Sequence, residues 1–353
     1  MQPFLNASFR KILLFAAFSA ASALITGCGA TAKPTSTIAA QVTDPATAPS
    51  TTPTSTPTPT PGPNPTPTPT PTPIPNPTPA PPPKPASGIP HSSHVILVIE
   101  ENHEFAEVFP SGMPWLVSQG NIYGYATNYH ADEPGSALDY YWLSSGSGEQ
   151  AYGCQGDGCP NPIKSDNIFY ELSKAGLTWK VYAQSLPSVG YMGGDYNAYV
   201  DRHNPAKWYE YVINTPAAQQ NIVPFSQFAQ DMANNQLPNY SLIIPDVNND
   251  AHDGTLAQAD AFLSSGVAPV LNTPYFKAGG DGLLLVTFDE CDGAVGACPQ
   301  QVYTAVIGPQ VKSGTVSSTL YKHENMLRTM LDALGVTVYP GASASASDMT
   351  DFF

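Results

Sequence analysis

Positive charge is what this sequence has least of. The chain holds 13 Lys and Arg against 28 Asp and Glu. From residue 88 onward the imbalance sharpens to 9 cations against 27 acids, a net charge of −18. A surface that acidic repels nucleic acid and anionic lipid, which excludes charge-driven binding to either as the main function. Arginine is rarest of all: only Arg202 and Arg328 occur after residue 87. An arginine clamp is therefore not expected to be the main device for holding an anion. A metal drawn by clustered acids is the more attractive one.

Long apolar runs are missing as well. The run from Ile12 to Leu24 follows Arg10 and Lys11 and is well short of the ~20 residues a spanning helix needs. It ends on small residues, as a signal peptide does. The next four, Ile25-Thr26-Gly27-Cys28, resemble the lipobox of bacterial lipoproteins, which implies cleavage before Cys28 and lipid on its thiol. Residues 31–87 have almost no apolar side chains beyond Ala and Pro, and Thr-Pro alternates from Pro53 to Pro83. Such a segment cannot bury enough surface to offset its chain entropy. Proline fixes φ and removes a donor, so polyproline II is its default state, with a reach on the order of 100 Å. The expected plan is a leader over 1–27, a lipid-anchored stalk over 28–87 and a catalytic domain over 88–353. Residence would be in the cell envelope, outside the cytoplasm, touching the membrane through the Cys28 lipid only.

Cysteine is sparse. Beyond Cys28 there are four, Cys154, Cys159, Cys291 and Cys298. Three pairings are open to them, and the two local loops are the simplest. A zinc knot is the rival, weakened by an oxidising compartment and by Gly-rich, Pro-flanked loops.

What the domain does have is a set of short, largely apolar runs: His94–Ile99, Thr178–Tyr182, Tyr240–Ile244, Gly282–Phe288 and Val302–Ile307. Runs of that kind suit strands buried on both faces. Helical patterns lie between them at Asp166–Ala175, Phe225–Asn234, Leu256–Leu263 and His323–Leu334, with a further helix-like stretch at Ala137–Ser144. The first of these is expected to be capped by Ser165 or Asp166. The alternation predicts an α/β three-layer sandwich around a mainly parallel sheet, where ligands sit beyond the carboxyl ends of strands. Those ends read Glu100-Glu101-Asn102-His103, Pro245-Asp246 through Asp250-Ala251-His252-Asp253, and Asp289-Glu290. The strands themselves are nearly free of charge, so the polar groups gather where a metal site would need them.

In that order these pieces, with Leu143-Ser144-Ser145-Gly146, Arg202-His203-Asn204-Pro205 and the late His323, resemble the phosphoesterase family. That family includes bacterial acid phosphatases and phospholipases C and belongs to the alkaline-phosphatase-like superfamily. The resemblance spans nearly the whole domain. It implies a divalent metal held by Glu101, Asn102, Asp289 and Glu290, with a nucleophilic serine as a further ligand. Oxygen ligands suit Ca, Mg or Mn, and added histidine admits Zn or Fe.

Family members carry His-Pro-Ser nine residues before the Ser of their Ser-Gly pair, and Ser136 stands nine before Ser145. Here Pro134-Gly135 precede it and the histidine is missing. The implied reaction is double displacement through a phosphoserine, with backbone N–H groups of a helix N-terminus facing the phosphate. His203, His252 and His323 are candidates for phosphate binding or for protonating the leaving group. Asp246, Asp250 and Asp253 would orient those rings or complete a second metal position. A small phosphate monoester is the expected substrate. Phospholipase C, phosphodiesterase or sulfatase-like activity are alternatives on the same site, although no Cys or Ser leading into Pro-x-Arg is found at Ser136. A non-catalytic surface binding protein is the alternative of another class.

Overall fold

The computed structural model describes residues 88–291 and 298–353. The leader, the lipid acceptor Cys28 and the Thr-Pro stalk lie outside the described residues. Ten strands order the domain: β1 (Val95–Glu100), β2 (Gly124–Ala126), β3 (Tyr129–His130), β4 (Trp179–Ala183), β5 (Ile222–Pro224), β6 (Tyr240–Ile244), β7 (Leu283–Phe288), β8 (Thr304–Ile307), β9 (Thr315–Ser317) and β10 (Tyr321–Lys322). The α-helices are α1 (Phe105–Val108), α2 (Pro114–Ile122), α3 (Ser136–Ser145), α4 (Ile168–Lys174), α5 (Glu210–Ile213), α6 (Pro216–Gln219), α7 (Ser226–Ala233), α8 (Leu256–Phe262) and α9 (His323–Ala333).

Eight strands form one sheet in the order β5-β4-β6-β1-β7-β8-β2-β9, and β10 pairs with β3 apart from it. The pairings from β5 through β7 are all parallel, while β8 runs antiparallel to both β7 and β2. Every residue of β1, β6, β7 and β8 is buried. Both faces of the sheet are therefore covered, which is why these strands read as mostly apolar runs. Helix α3 packs against both α4 and α9, and α2 packs against α8. The predicted α/β sandwich with a mainly parallel sheet is the architecture found.

Local differences have physical causes. Helix α4 is capped by Asn167, whose side chain accepts from the Tyr170 N–H at 3.1 Å, and not by Ser165 or Asp166. The short strands β2, β5 and β9 carry no apolar run long enough to announce them; they are fixed by their neighbours in the sheet. The cysteines pair locally, Cys154 with Cys159 and Cys291 with Cys298, which removes the zinc-knot alternative. No helix among the described residues is long and apolar enough to cross a membrane.

Candidate active site

The register of the sheet assembles the site. Glu100 stands opposite Phe288 where β1 pairs with β7, so the next residues, Glu101 and Asp289, emerge side by side. Backbone bonds fasten them: the Asp289 N–H donates to the Glu100 carbonyl at 3.0 Å, and the Glu101 N–H to the Asp250 carbonyl at 2.7 Å. Asn102 takes a left-handed conformation, φ 55°, and its N–H donates to Asp289 Oδ1 at 3.0 Å. Asparagine tolerates that region better than most residues. Three strand ends thus deliver Glu101, Asp250 and Asp289 to one place.

Ser136 is the first residue of α3, and its hydroxyl donates to Glu101 Oε2 at 3.0 Å. The turn before it depends on Gly135, at φ 115°, whose N–H donates to Glu290 Oε2 at 2.9 Å. A Cβ on Gly135 would lie 2.8 Å from the Gly156 Cα, inside the loop closed by Cys154 and Cys159. Glycine is therefore required on both sides of that contact. The expected fan of free N–H groups at this helix start is reduced. The Ala137 N–H donates to the Gly156 carbonyl, and the Leu138 N–H to the Gly135 carbonyl.

The histidines separate into different roles. His203 is 1 % exposed, stacks on Tyr140 with ring centres 5.3 Å apart, and sits between two acids. Its Nε2 is 3.3 Å from Glu101 Oε1 and its Nδ1 is 3.5 Å from Asp250 Oδ2. Burial, with help from Arg202 and His252, pushes its pKa well below the ordinary histidine value. That shift favours the neutral ring. His252 is partly exposed; its Nδ1 lies 2.8 Å from Asp253 Oδ1 and its Nε2 3.3 Å from Arg202 Nη2.

His323 is fully buried, with Tyr129 Oη 3.0 Å from Nδ1 and the Asp289 carbonyl 2.7 Å from Nε2. Both ring nitrogens are engaged, so the ring braces Asp289 from beneath and does not reach a phosphate. Asp246 accepts from Ser185, Asn248 and Asn249, capping its own turn and orienting no imidazole. Asp250 and Asp253 do face His203 and His252, as expected.

Sequence reasoning missed two residues. Tyr140 lies one turn beyond Ser136 on the same helix face, is fully buried against His203, and its hydroxyl has no hydrogen bond among the described residues; the i, i+4 spacing from Ser136 is the available signal. Arg202 was quoted only as a neighbour of His203, yet its guanidinium reaches the site through His252.

The electrostatics point to a cation. Burial foremost, then Asp250, raises the Glu101 pKa to about 8. Burial, Glu101 and Glu290 raise Asp289 well above the carboxylate range, and burial raises Asp250 to about 7. Glu101 Oε1, Asp250 Oδ2, Asp289 Oδ2 and His203 Nε2 are all buried without a hydrogen bond among the described residues. Leaving such atoms unpaired costs about 1–3 kcal/mol each, more if charged. Ligand atoms of Glu101, His203 and His252 lie within 4.8 Å of one another. Acid and imidazole donors of this kind fit a divalent cation.

Two solved structures share the fold. Phosphonate monoester hydrolases from Silicibacter pomeroyi and Agrobacterium radiobacter each superpose with a TM-score of 0.51. At 11 % and 10 % identity they cover 73 % and 74 % of this chain, and 76 % and 77 % of theirs. Fold and site together are those of a hydrolase acting on phosphoric esters. The model of the phosphoesterase family matches residues 116–337, and the chain belongs to that family. A phosphatidylinositol-3-phosphatase of Mycobacterium tuberculosis is 31 % identical over 270 residues, covering 76 % of this chain and 85 % of the relative. An acid phosphatase of Aspergillus fumigatus is 30 % identical over 229 residues, covering 62 % of this chain; the chain spans about half of that relative's length.

Proposed function

We propose that the protein is a divalent-metal-dependent phosphomonoesterase working through a phosphoserine on Ser136. One observation carries this reading: a serine at a helix start donates its hydroxyl to Glu101 at 3.0 Å, among buried acid oxygens that lack partners. Glu101, Asp289 and Glu290, with Asn102 and Ser136, would hold the cation, and His203 is close enough to contribute. When bound, the cation lowers the pKa of the serine hydroxyl and neutralises charge on the transferring oxygens.

The chain's own groups do the rest. Glu290 fixes the turn at Gly135, and Glu101 orients the Ser136 hydroxyl for in-line attack on phosphorus. The alcohol leaves, and water then hydrolyses the phosphoserine. His203 lies between Glu101 and Asp250 and bridges the two acids. Partly exposed His252, oriented by Asp253, is the imidazole placed to meet the leaving oxygen.

The names of the relatives favour monoesters, and a phosphoinositide head group belongs among the substrates tried. The test is to assay a phosphate monoester, a diester and a sulfate ester with and without chelator. Ser136→Ala and Asp289→Ala should each abolish turnover of the monoester while leaving the fold intact. Wild-type turnover in both variants would remove the site from consideration.

The same proposal extends to location: lipid on Cys28 holds the domain in the cell envelope at the end of the Thr-Pro stalk. A Cys28→Ala chain should leave the membrane fraction for the soluble one. Retention in the membrane fraction would refute the anchor.

A further inference from the structure

Two arginines serve the described domain, and they are used differently. Arg328 is committed to structure: Nε donates to Asp332 at 2.8 Å, Nη1 to the Ala346 carbonyl at 3.3 Å, and its plane lies 3.9 Å over the Tyr339 ring. Arg202 makes no ion pair with a carboxylate among the described residues, in a domain where acids outnumber cations three to one. Its one side-chain hydrogen bond among the described residues runs from Nη2 to His252 Nε2, at 3.3 Å. A guanidinium only donates, so His252 Nε2 is the acceptor and its Nδ1–H is left to Asp253. Most of the five donors of Arg202 have no acceptor among the described residues.

The other positive groups around the site are taken. Lys207 binds Asp201 and the Gly193 carbonyl, and Lys322 binds Asp132 at 2.8 Å. The Ala137 and Leu138 N–H groups at the start of α3 are engaged within the protein. Arg202 is half-buried, beside an imidazole whose ligand atoms lie within 4.8 Å of Glu101. An uncommitted guanidinium fork in that position matches the paired oxygens of a phosphate.

We propose that Arg202 grips the doubly charged terminal phosphate of a monoester, and the phosphate ion released from it, and thereby sets a preference for monoesters over diesters. The inference rests on the reading of Ser136 as the nucleophile of a phosphatase. A monoester presents two charges and three free oxygens at the reacting phosphorus; a diester presents one charge and two. With one free oxygen turned toward the acid cluster at Glu101, the monoester still offers the fork of Arg202 two oxygens and a second charge, whereas the diester offers one oxygen. On binding, the guanidinium exchanges His252 Nε2 for phosphate oxygen, and the freed Nε2 must take up a proton from solvent before it can pass one to the leaving oxygen.

The experiment compares the full chain with Arg202→Gln and Arg202→Lys, using p-nitrophenyl phosphate, methyl p-nitrophenyl phosphate and inorganic phosphate as inhibitor. The diester is read as a substrate or, where turnover is slow, as a competitive inhibitor. Arg202→Gln should lower kcat/KM for the monoester and weaken phosphate inhibition by about 10- to 100-fold each, with diester constants moving less than about 3-fold. Arg202→Lys should recover part of the phosphate affinity, because it keeps the charge and loses the fork. Parallel loss on monoester and diester, or unchanged phosphate inhibition, overturns the proposal. If Arg202→Gln does not fold, Arg202→Lys decides alone: selective weakening of phosphate supports the grip, and unaltered constants overturn it. Ser136→Ala is run beside these variants; wild-type turnover there would sink the phosphatase reading itself, independently of Arg202.

Discussion

Two clusters of buried acid and histidine lie on either side of the Asp289 backbone, and they differ in one respect. Beneath it, Asp132 binds Lys322 at 2.8 Å and the His323 N–H at 3.2 Å, while His323 spends both ring nitrogens on Tyr129 and the Asp289 carbonyl. Above it, Glu101, Asp250, Asp289 and His203 each keep a buried atom without a hydrogen bond among the described residues. The lower cluster braces the fold through Lys322 and His323, with Asp139 Oδ2 and Glu324 Oε2 left over, and its Asp132, Asp139 and His323 also bring ligand atoms within 4.8 Å of one another. The upper one is negative, crowded and incomplete. Buried polar groups that satisfy each other hold a fold; those that do not are waiting for a ligand.

That comparison can be broken at its strongest point first. Ser136→Ala should lower monoester kcat by at least about 10³-fold with the melting temperature nearly unchanged, since it removes the nucleophile and one hydroxyl from the upper cluster. Chelation should come next in size. Glu101 has a folded pKa raised to about 8 and Asp250 one raised to about 7, both above their unfolded values. The protonated forms are favoured by folding, so the stability they contribute is complete below about pH 4 and is lost as pH rises through 7 to 8. Metal-free protein should therefore melt at progressively lower temperature from pH 5 to 8, and added divalent cation should restore the loss most at the upper end. A melting temperature indifferent to both pH and cation would contradict the upper cluster's role.

In the lower cluster the order of effects reverses. His323→Ala should cost about 2–4 kcal/mol of stability in denaturant unfolding, because it strands Tyr129 and the Asp289 carbonyl in the core. Its effect on kcat should be the smaller one, felt through Asp289. The smallest change expected is Asp253→Asn. The carboxylate is 63 % exposed, so losing its contact with His252 should reduce kcat/KM no more than about 10-fold and leave stability unaltered.

The legible part of the molecule was whatever a strand states by itself. β1, β6 and β7 are buried on both faces, so their apolar runs and the acids that end them stood out in the sequence. Ser136 was found through its spacing to Ser145 in a family pattern and not by any local chemistry. Hidden were the facts that depend on the far side of a contact. Nothing near His323 in the chain says that both nitrogens point at Tyr129 and Asp289. Asp246 looks like a ligand until its turn is folded around it. Arg202 looked too isolated to matter by count, and its lack of a carboxylate partner exists only in three dimensions.

The central claim is that Ser136 carries the phosphoryl group between the two half-reactions. Quenching the enzyme in acid during turnover of a monoester and mapping its peptides by mass spectrometry tests it directly. The account predicts one phosphoryl group on the peptide containing Ser136, absent from Ser136→Ala. Steady turnover with no such adduct, or with the phosphoryl group on another residue, would contradict it.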